Sequence, residues 1–197
     1  MRKIGITGGI GAGKTIVCRV FQLLGVPVYD SDARAKWVMQ HDAVLKDNLT
    51  AAFGPAAYTP SGELNRPHIA SIVFNNPEQL ARLNSLVHPR VAIDFESWAL
   101  AQAPAPYVLK EAALMFESQA WKQMDEIITV FAPLDVRMKR LLARDPHRTE
   151  ADIRAIIEKQ LREEEKMARA DYIIYNDDQQ LLLPQITALH KHFLAPQ

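Results

Sequence analysis

The sequence is poor in cysteine and lacks any long hydrophobic run. Its one cysteine, Cys18, cannot form a disulfide within the chain, which is typical of proteins from a reducing compartment. No uninterrupted apolar segment approaches the ~18 residues that a membrane-spanning helix needs. The charged start Met1-Arg2-Lys3 is followed by a glycine-rich segment rather than by the apolar stretch of a signal peptide. These absences predict a soluble cytoplasmic protein that contacts no membrane.

An excess of charge of either sign is also absent. The 197 residues include 23 Lys and Arg and 23 Asp and Glu, so the formal net charge is zero. Dedicated nucleic-acid-binding proteins are usually basic, so the composition predicts no nucleic-acid partner. With 48% hydrophobic residues, 8 glycines and 12 prolines, it also excludes disordered, collagen-like and disulfide-scaffold classes. The length suits one domain with insertions, and nothing in the sequence sets an oligomeric state.

The first thirty residues predict a strand, a helix and a second strand. Residues 3–7 form a short β-leaning run directly before a glycine-rich segment. From Lys14 onward apolar residues recur at helical spacing, and Gly25 stands where a helix C-terminal cap belongs. Residues 26–29 predict the second strand. A unit of this kind implies a parallel sheet and an α/β fold.

Further along the chain, helical patterns alternate with strands. Residues 30–105 are predicted to be mostly helical, with loops. Strands are then predicted at 107–109, 126–131 and 172–175. Helices are predicted at 135–143, 149–170 and 179–193, with a turn at 144–148. The second of these helices is expected to begin with a capping box formed by Thr149 and Asp152.

Residues 8–15, Gly-Gly-Ile-Gly-Ala-Gly-Lys-Thr, match the pattern G-x-x-x-x-G-K-[ST] at every fixed position. The pattern follows a predicted strand and opens a predicted helix, which is the context it requires. The glycines let backbone N–H groups converge on phosphate oxygens at a helix N-terminus. Lys14 is then expected to reach the β and γ phosphates and the Thr15 hydroxyl to coordinate Mg²⁺. We call residues 8–15 the phosphate loop, and they predict a nucleoside triphosphate site.

The phosphate loop does not by itself indicate what happens to the nucleotide. The Asn-Lys-x-Asp and Asp-x-x-Gly motifs of regulatory GTPases are absent, as is the Leu-Ser-Gly-Gly-Gln signature of ABC-type ATPases. Phosphoryl transfer to a small acceptor is therefore favoured. A nucleoside monophosphate kinase and a nucleotide-binding module without turnover remain as alternatives.

Two aspartates, Asp30 and Asp32, follow the second predicted strand, at the sheet edge where ligands bind in open α/β folds. A kinase needs a carboxylate that orients the acceptor hydroxyl and takes its proton. One aspartate would then be this base, and the other would hold a metal or a neighbouring group. A helix N-cap explains the same residues equally well, and their spacing does not decide between them.

Two charged segments follow in the second half of the chain. A basic cluster flanks the predicted turn and comprises Arg137, Lys139, Arg140, Arg144 and Arg148. Arg140 and Arg144 share a helix face, so both are expected to reach ATP phosphates, although a solvated helix face is the alternative. Residues 163–165 are all glutamate and are predicted to lie on an exposed helix without chemistry.

The order of these motifs resembles the dephospho-coenzyme A kinase family. Residues 4–15 are similar to the opening segment of that family, in which Thr-Gly-Gly-Ile-Gly precedes the Gly-Lys pair. Four further features fall in the family's order, at residues 28–32, 88–89, 113–117 and 170–176. The resemblance covers nearly the whole chain, and the ordered set is more specific than any single motif.

This resemblance implies transfer of the ATP γ-phosphate to the ribose 3′-hydroxyl of 3′-dephospho-coenzyme A, giving coenzyme A and ADP. It implies that Asp32 is the general base and that His88 and Arg90, expected in a loop stiffened by Pro89, meet the substrate. It also assigns a run of residues to ATP, namely Gly11, Ala12, Gly13, Lys14, Thr15 and Ile16.

The resemblance further implies a P-loop NTPase fold, a three-layer α/β/α arrangement with a parallel sheet, a helical substrate-binding insertion and a helical lid. The expected core comprises residues 1–30, 105–133 and 171–197. The substrate-binding part is expected at 31–104 and the lid at 134–170. The sequence departs from the family pattern at Ala113, where many members have proline, and after Asn176, where a glycine often follows.

Overall fold

A computed structural model describes residues 1–195, so the last two residues of the predicted core lie outside the described part. The chain divides into two compact units. The first unit contains residues 1–30 and the chain from residue 102 onward, and the second contains residues 31–101. In the part of the chain that is described, no helix combines the length and apolar character needed to cross a membrane.

The first unit contains a five-stranded sheet in which all paired strands are parallel. The strands are β1 (Arg2–Thr7), β2 (Val28–Asp30), β3 (Tyr107–Glu111), β4 (Glu126–Phe131) and β5 (Tyr172–Tyr175), in the order β2-β3-β1-β4-β5. All five strand predictions are confirmed, with ends displaced by no more than two residues. Each of the central strands β1, β3 and β4 has four consecutive buried residues, because a parallel sheet buries both of its faces.

Nine α-helices lie within residues 1–195. They are α1 (Lys14–Leu23), α2 (Ser31–His41), α3 (Ala43–Phe53), α4 (Arg66–Val73), α5 (Pro77–Leu100), α6 (Leu134–Arg144), α7 (Glu150–Glu158), α8 (Glu163–Arg169) and α9 (Leu182–Leu194). Short 3₁₀ turns occur at Pro55–Ala57 and Ala120–Gln123. The predicted helices at 135–143 and from Lys14 are confirmed, and Gly25 follows the end of α1 with a positive φ of 85°.

Helices cover the sheet of the first unit and bury its apolar side chains. Phe21 of α1 and Phe193 of α9 join the strand residues Ile4, Ile6 and Ile128 in one buried cluster. Helix α8 packs against β4, and α6 packs against α7. The predicted three-layer α/β/α arrangement is therefore confirmed.

The prediction of one long helix over 149–170 is wrong, because the chain forms α7 and α8 with a break between them. The capping box of Thr149 and Asp152 does begin α7, as predicted. At the break, the Leu161 N–H donates to the Glu117 carboxylate at 2.7 Å. A tertiary contact therefore replaces a helical hydrogen bond that the charged sequence pattern alone would predict.

The closing helix also begins later than its predicted start at residue 179. The Asp177 carboxylate accepts hydrogen bonds from the backbone N–H groups of Gln179 (3.0 Å) and Gln180 (2.9 Å). An aspartate that bonds the backbone ahead of it favours a turn over a helix. Helix α9 therefore starts only at Leu182.

The second unit is helical, as predicted, with α2, α3 and α4 packed against the long helix α5. Its fully buried side chains include Leu45, Leu49 and Phe95. Arg34 of α2 donates two hydrogen bonds to the Asp94 carboxylate of α5, at 2.9 and 2.5 Å. Apolar burial and this bidentate ion pair together hold α2 against α5.

The prediction that His88, Pro89 and Arg90 form a loop is wrong, because all three lie inside α5. A proline inside a helix removes one hydrogen bond and costs ~3 kcal/mol. Helix α5 continues because apolar side chains at four-residue spacing are buried along it. They are Val87, Val91, Phe95 and Ala99. Their combined burial outweighs the effect of one proline.

Arg90 makes an ion pair within the second unit. Its guanidinium donates to both carboxylate oxygens of Asp42, at 2.5 to 3.1 Å. Asp42 is also the N-cap of α3, since it accepts a hydrogen bond from the Leu45 N–H at 2.7 Å. Burial opposes ionisation of Asp42, but the hydrogen bonds from Arg90 and Leu45 outweigh it and lower its pKa.

We expect the contribution of Asp42 to stability to depend on pH. A pKa that is lower in the folded state means that the ionised carboxylate stabilises the fold above the unfolded value of about 4. That contribution is lost as the pH falls through the folded value. In urea unfolding, the free energy of unfolding of Asp42→Asn should therefore lie well below that of wild type at pH 7. The difference between the two should be smaller at pH 3. Asp47→Asn, at an exposed site of α3, is the control, and an unchanged difference for Asp42→Asn at pH 3 would contradict the expectation.

Gly8, where the chain leaves β1, is expected to tolerate no side chain. Its φ is +148°, and an added Cβ would lie 2.3 Å from the Val130 carbonyl oxygen of β4. Gly25 is the matched control, because its φ of +85° is also positive but nothing lies within 4 Å of an added Cβ. Gly25→Ala should cost about 1 to 2 kcal/mol in free energy of unfolding from backbone strain. In denaturant unfolding, Gly8→Ala should lower the free energy of unfolding clearly more than Gly25→Ala does. Equal losses in the two variants would show that the contact with the Val130 carbonyl does not affect stability.

Candidate active site

The phosphate loop joins β1 to α1, as predicted, and turns through glycines in left-handed conformations. Gly11 has a φ of 81° and Gly13 a φ of 95°, and Gly13 is the N-cap of α1. The Ala12 N–H donates to the Gly9 carbonyl at 3.1 Å and closes the turn. This geometry brings the loop to the N-terminus of α1, where backbone N–H groups and the helix dipole favour an anion.

Lys14 and Thr15 lie at the start of α1. The Lys14 ammonium donates to the Gly8 carbonyl at 2.9 Å, so its side chain folds back across the phosphate loop. Thr15 and Ile16 are exposed. A cation that lies across the loop and a hydroxyl beside it are positioned for a bound polyphosphate and its metal ion.

Two carboxylates lie near α1 at the carboxyl edge of the sheet. Asp30 ends β2 and pairs in register with Glu111 of β3, and Glu111 pairs with Ile6 of β1. Burial raises the pKa of the Cys18 thiol, and the Glu111 carboxylate raises it further. The Cys18 thiol donates a hydrogen bond to the Glu111 carboxylate, so Glu111 lies beside Cys18 of α1. Among the described residues, no group of three or more His, Cys, Asp or Glu could hold a metal ion.

Asp30 and Asp32 lie on different elements and in different units. Strand β2 ends at Asp30, and α2 begins at Ser31, so the strand does not continue to Asp32. Asp32 lies in the first turn of α2, where the helix dipole stabilises a carboxylate, and it is exposed. The structure thus separates two residues that sequence spacing alone treats as equivalent. Asp32 shares the second unit with His88 and Arg90.

Arg140 of α6 is linked to the phosphate loop through Asn176. Its guanidinium donates to the Asn176 side-chain oxygen at 3.3 Å and to Asp178 at 2.5 Å. The Asn176 amide in turn donates to the Ala12 carbonyl at 2.8 Å. Nη1 of Arg140 is buried without a hydrogen-bond acceptor. Asn176 ends the segment 170–176 of the family resemblance, but no feature of the sequence pointed to this contact.

Arg144 has a different environment, although it shares a helix face with Arg140. Its guanidinium pairs with Asp145 at 2.8 Å, and 61% of its side chain is exposed. The hydrogen bonds that Arg144 donates to Asp145, together with the charge of that carboxylate, raise the pKa of Arg144. Of the two arginines, only Arg140 is therefore tied to the phosphate loop in this structure.

Arg137 lies against the phosphate loop and was not selected from the sequence. Only 4% of the residue is exposed, and Nε and Nη1 have no hydrogen-bond acceptor. A Cβ added to Gly9 would lie 2.2 Å from Nη1. The sequence signals that point to it are its membership of the basic cluster and its place one helical turn before Arg140. A buried guanidinium without acceptors favours a nearby anion.

The prediction that residues 163–165 lie on an exposed helix is wrong for Glu163. Glu163 is 10% exposed and bonds to Lys166 at 3.0 Å, and Lys166 is fully buried. By contrast, the Glu164 side chain is 77% exposed. The three glutamates look alike in the sequence, but only the first turns towards the phosphate loop, where the Gly9 N–H donates to it at 3.4 Å.

Comparison with known proteins gives the same family as the ordered motifs. A dephospho-CoA kinase family model matches residues 2–181. A dephospho-CoA kinase from Bacteroides fragilis (strain YCH46) is 36% identical over 187 residues, which cover 95% of this chain and 90% of that protein. The crystal structure of TT1252 from Thermus thermophilus is 32% identical, with a TM-score of 0.85 and coverage of 99% of this chain and 98% of that one.

A dephospho-CoA kinase from Campylobacter jejuni has the same fold at 22% identity, with a TM-score of 0.72 and coverage of 98% of this chain and 97% of that one. The expectations of the family and of a P-loop α/β fold are therefore confirmed. The chain belongs to the dephospho-CoA kinase family and is an ATP-dependent kinase.

Proposed function

We propose that the first unit holds ATP and that Asp32 activates the ribose 3′-hydroxyl of 3′-dephospho-CoA for attack on the γ-phosphate. The products are coenzyme A and ADP. The strongest support for an ATP site in the first unit is a group of buried guanidinium nitrogens, from Arg137 and Arg140, beside the phosphate loop. Guanidinium nitrogens that lack acceptors are suited to a polyphosphate, which supplies both charge and oxygen atoms.

The phosphate loop would bind ATP through backbone N–H groups and through Lys14. The proposed ATP contacts are Gly11, Ala12, Gly13, Lys14, Thr15 and Ile16. Lys14 would exchange its bond to the Gly8 carbonyl for one to a phosphate oxygen. Because Ala12 is fully buried and its carbonyl is held by Asn176, the loop is preorganised before ATP arrives.

The arginines of α6 would neutralise charge on the transferred phosphoryl group. Arg140 is the proposed catalytic arginine, and Arg144 would bind ATP after leaving Asp145. We propose residues 134–170 as a lid that closes over the phosphates. The exposed Arg144 has the freedom to move that such closure requires, whereas Arg140 is already anchored through Asn176.

Asp32 would orient the 3′-hydroxyl and accept its proton as the phosphoryl group leaves ATP. Its position in the first turn of α2 leaves the carboxylate exposed to a ligand. Asp30 ends β2 in the first unit and is proposed to lie near the metal ion instead.

The proposed metal ion is Mg²⁺, which binds oxygen ligands and usually retains water molecules and substrate phosphates. The exposed Thr15 hydroxyl fits as its protein ligand, with the carboxylates of Asp30 and Glu111 at the same sheet edge. A metal ion held there would supply positive charge that offsets the negative charge of the phosphates. Thr15 and the two carboxylates would orient it beside Lys14.

His88 and Arg90 are proposed to contact dephospho-CoA from α5. Arg90 already pairs with Asp42, so a substrate phosphate would have to compete with or join that carboxylate. The proposed substrate-binding part is residues 31–104. A cytoplasmic location and the absence of a nucleic-acid partner remain predictions from composition.

The reaction is tested by measuring ADP release from ATP and Mg²⁺ with and without 3′-dephospho-CoA. We expect ADP release to depend on dephospho-CoA and the acceptor to gain the mass of one phosphate. AMP and CMP are the control acceptors and should give little ADP. Turnover with a nucleoside monophosphate but not with dephospho-CoA would contradict the proposal.

We expect Asp32→Asn to lower kcat by about 10²-fold or more, because the amide cannot accept the proton. ATP affinity should change little, since the proposed ATP contacts lie in the first unit. Steady-state kinetics and ATP titration calorimetry measure the two effects separately. Asp47→Asn, an exposed substitution in the same unit, is the control and should retain full activity. Equal losses of kcat and ATP affinity in Asp32→Asn would indicate a metal-binding or structural role.

A further inference from the structure

Two consecutive backbone amides of the phosphate loop are held by side chains about 150 residues away. The Gly9 N–H donates to the Glu163 carboxylate at 3.4 Å, and the Ile10 N–H donates to the Gln160 side-chain oxygen at 3.0 Å. Both acceptors lie at the break between α7 and α8. The break therefore presents two polar side chains to the first half of the loop.

Glu163 is the centre of a buried charge cluster, which we define as Arg137, Glu163 and Lys166. Lys166 donates to Glu163 Oε1 at 3.0 Å, and Arg137 Nη1 lies 3.7 Å from the same oxygen. The side chains of the three residues are 5%, 10% and 0% exposed, in that order. One carboxylate thus compensates two buried cations, and its loss would leave both without an anionic neighbour in the cluster.

The buried charge cluster and Gly9 occupy the same space. A Cβ on Gly9 would lie 2.2 Å from Arg137 Nη1 and 2.5 Å from Glu163 Oε1. Position 9 therefore favours glycine because the Arg137 and Glu163 side chains fill the space of a Cβ. The backbone conformation of Gly9 does not itself require glycine. An open cavity of about 340 Å³ lined by Arg137, Gln160 and Glu163 adjoins the cluster. The side-chain ends therefore have space to move away if a Cβ is introduced.

The first half of the loop also determines where Lys14 lies. The Lys14 ammonium donates to the Gly8 carbonyl at 2.9 Å, and Gly8 directly precedes the residue whose N–H Glu163 accepts. A shift of residues 8–10 would therefore move the Gly8 carbonyl and with it the Lys14 ammonium. Small displacements of groups that position a substrate can cost up to about 10²-fold in rate.

We propose that Glu163 is a positioning residue for ATP. With Arg137 and Lys166 it fixes the Gly9 N–H, and through residues 8–10 it sets the position of Lys14 at the phosphates. Glu163 itself touches neither ATP nor acceptor in this account. The inference rests on the proposed ATP site at the phosphate loop. It adds that side chains at the break between α7 and α8 hold the loop in the geometry that binds ATP.

The test is the effect of Glu163→Gln on ATP binding and turnover. Glutamine keeps an oxygen acceptor for the Gly9 N–H but removes the charge that holds Arg137 and Lys166. We expect the Kd for ATP, measured by titration calorimetry, to rise about tenfold. We also expect kcat to fall, while the KM for dephospho-CoA stays within about twofold of wild type. Glu164→Gln, on the exposed side of the same helix, is the matched control and should behave as wild type.

A second substitution disturbs the contact without changing any charge. Gly9→Ala should push Arg137 and Glu163 into the adjoining cavity and weaken ATP binding to a similar degree. The double variant Glu163→Gln/Arg137→Gln removes one cation together with the carboxylate and returns the cluster to its original net charge. It should recover much of the thermal stability that Glu163→Gln loses.

ATP affinity in both Glu163→Gln and Gly9→Ala within twofold of the Glu164→Gln control would overturn the proposal. A uniform loss of affinity for ATP and dephospho-CoA that follows the fraction of folded protein would overturn it as well, because it would show a purely structural role. Since the Kd for ATP is measured without an acceptor, the result stands even if the wild-type chain fails to phosphorylate dephospho-CoA. The two failures are therefore distinguishable.

Discussion

The structure of the active site depends on how the backbone amides of the glycine-rich turn after β1 are satisfied. A loop that binds phosphate cannot pair all of its N–H groups with other backbone groups, because some of them must face the ligand. In this chain the amides of Gly9 and Ile10 are held by Glu163 and Gln160. On the other side, the Ala12 carbonyl is held by Asn176. The loop is therefore fixed at both ends by side chains from the second half of the chain.

Although the chain has zero net charge, α6 carries three arginines along one face. Along α6, three arginines at positions 137, 140 and 144 differ in exposure, with 5%, 29% and 61% of their side chains exposed. The buried one lies against Gly9, the intermediate one bonds Asn176 and the exposed one pairs with Asp145. One helix face thus presents a buried, a partly exposed and an exposed guanidinium.

Local features of the sequence predicted most of the fold. The strand–helix–strand unit, the strands and the capping box of Thr149 all depend on neighbouring residues, and all are present. The predictions failed where distant residues decide. Gln160 and Leu161 leave the helix because their bonding partners, Ile10 and Glu117, come from other elements. Pro89 stays inside α5 because of apolar burial that local propensity does not include.

The sequence by itself determined the chemistry of this protein, because the phosphate loop and the later motifs are defined by residue types and their spacing. It therefore gave the family, the nucleotide and the parallel α/β fold. Tertiary structure decided which of several similar residues serve the site. It selected Arg137 from five basic residues and Glu163 from three adjacent glutamates, and it separated Asp30 from Asp32. Such choices depend on burial and on partners far along the chain, which residue spacing does not encode.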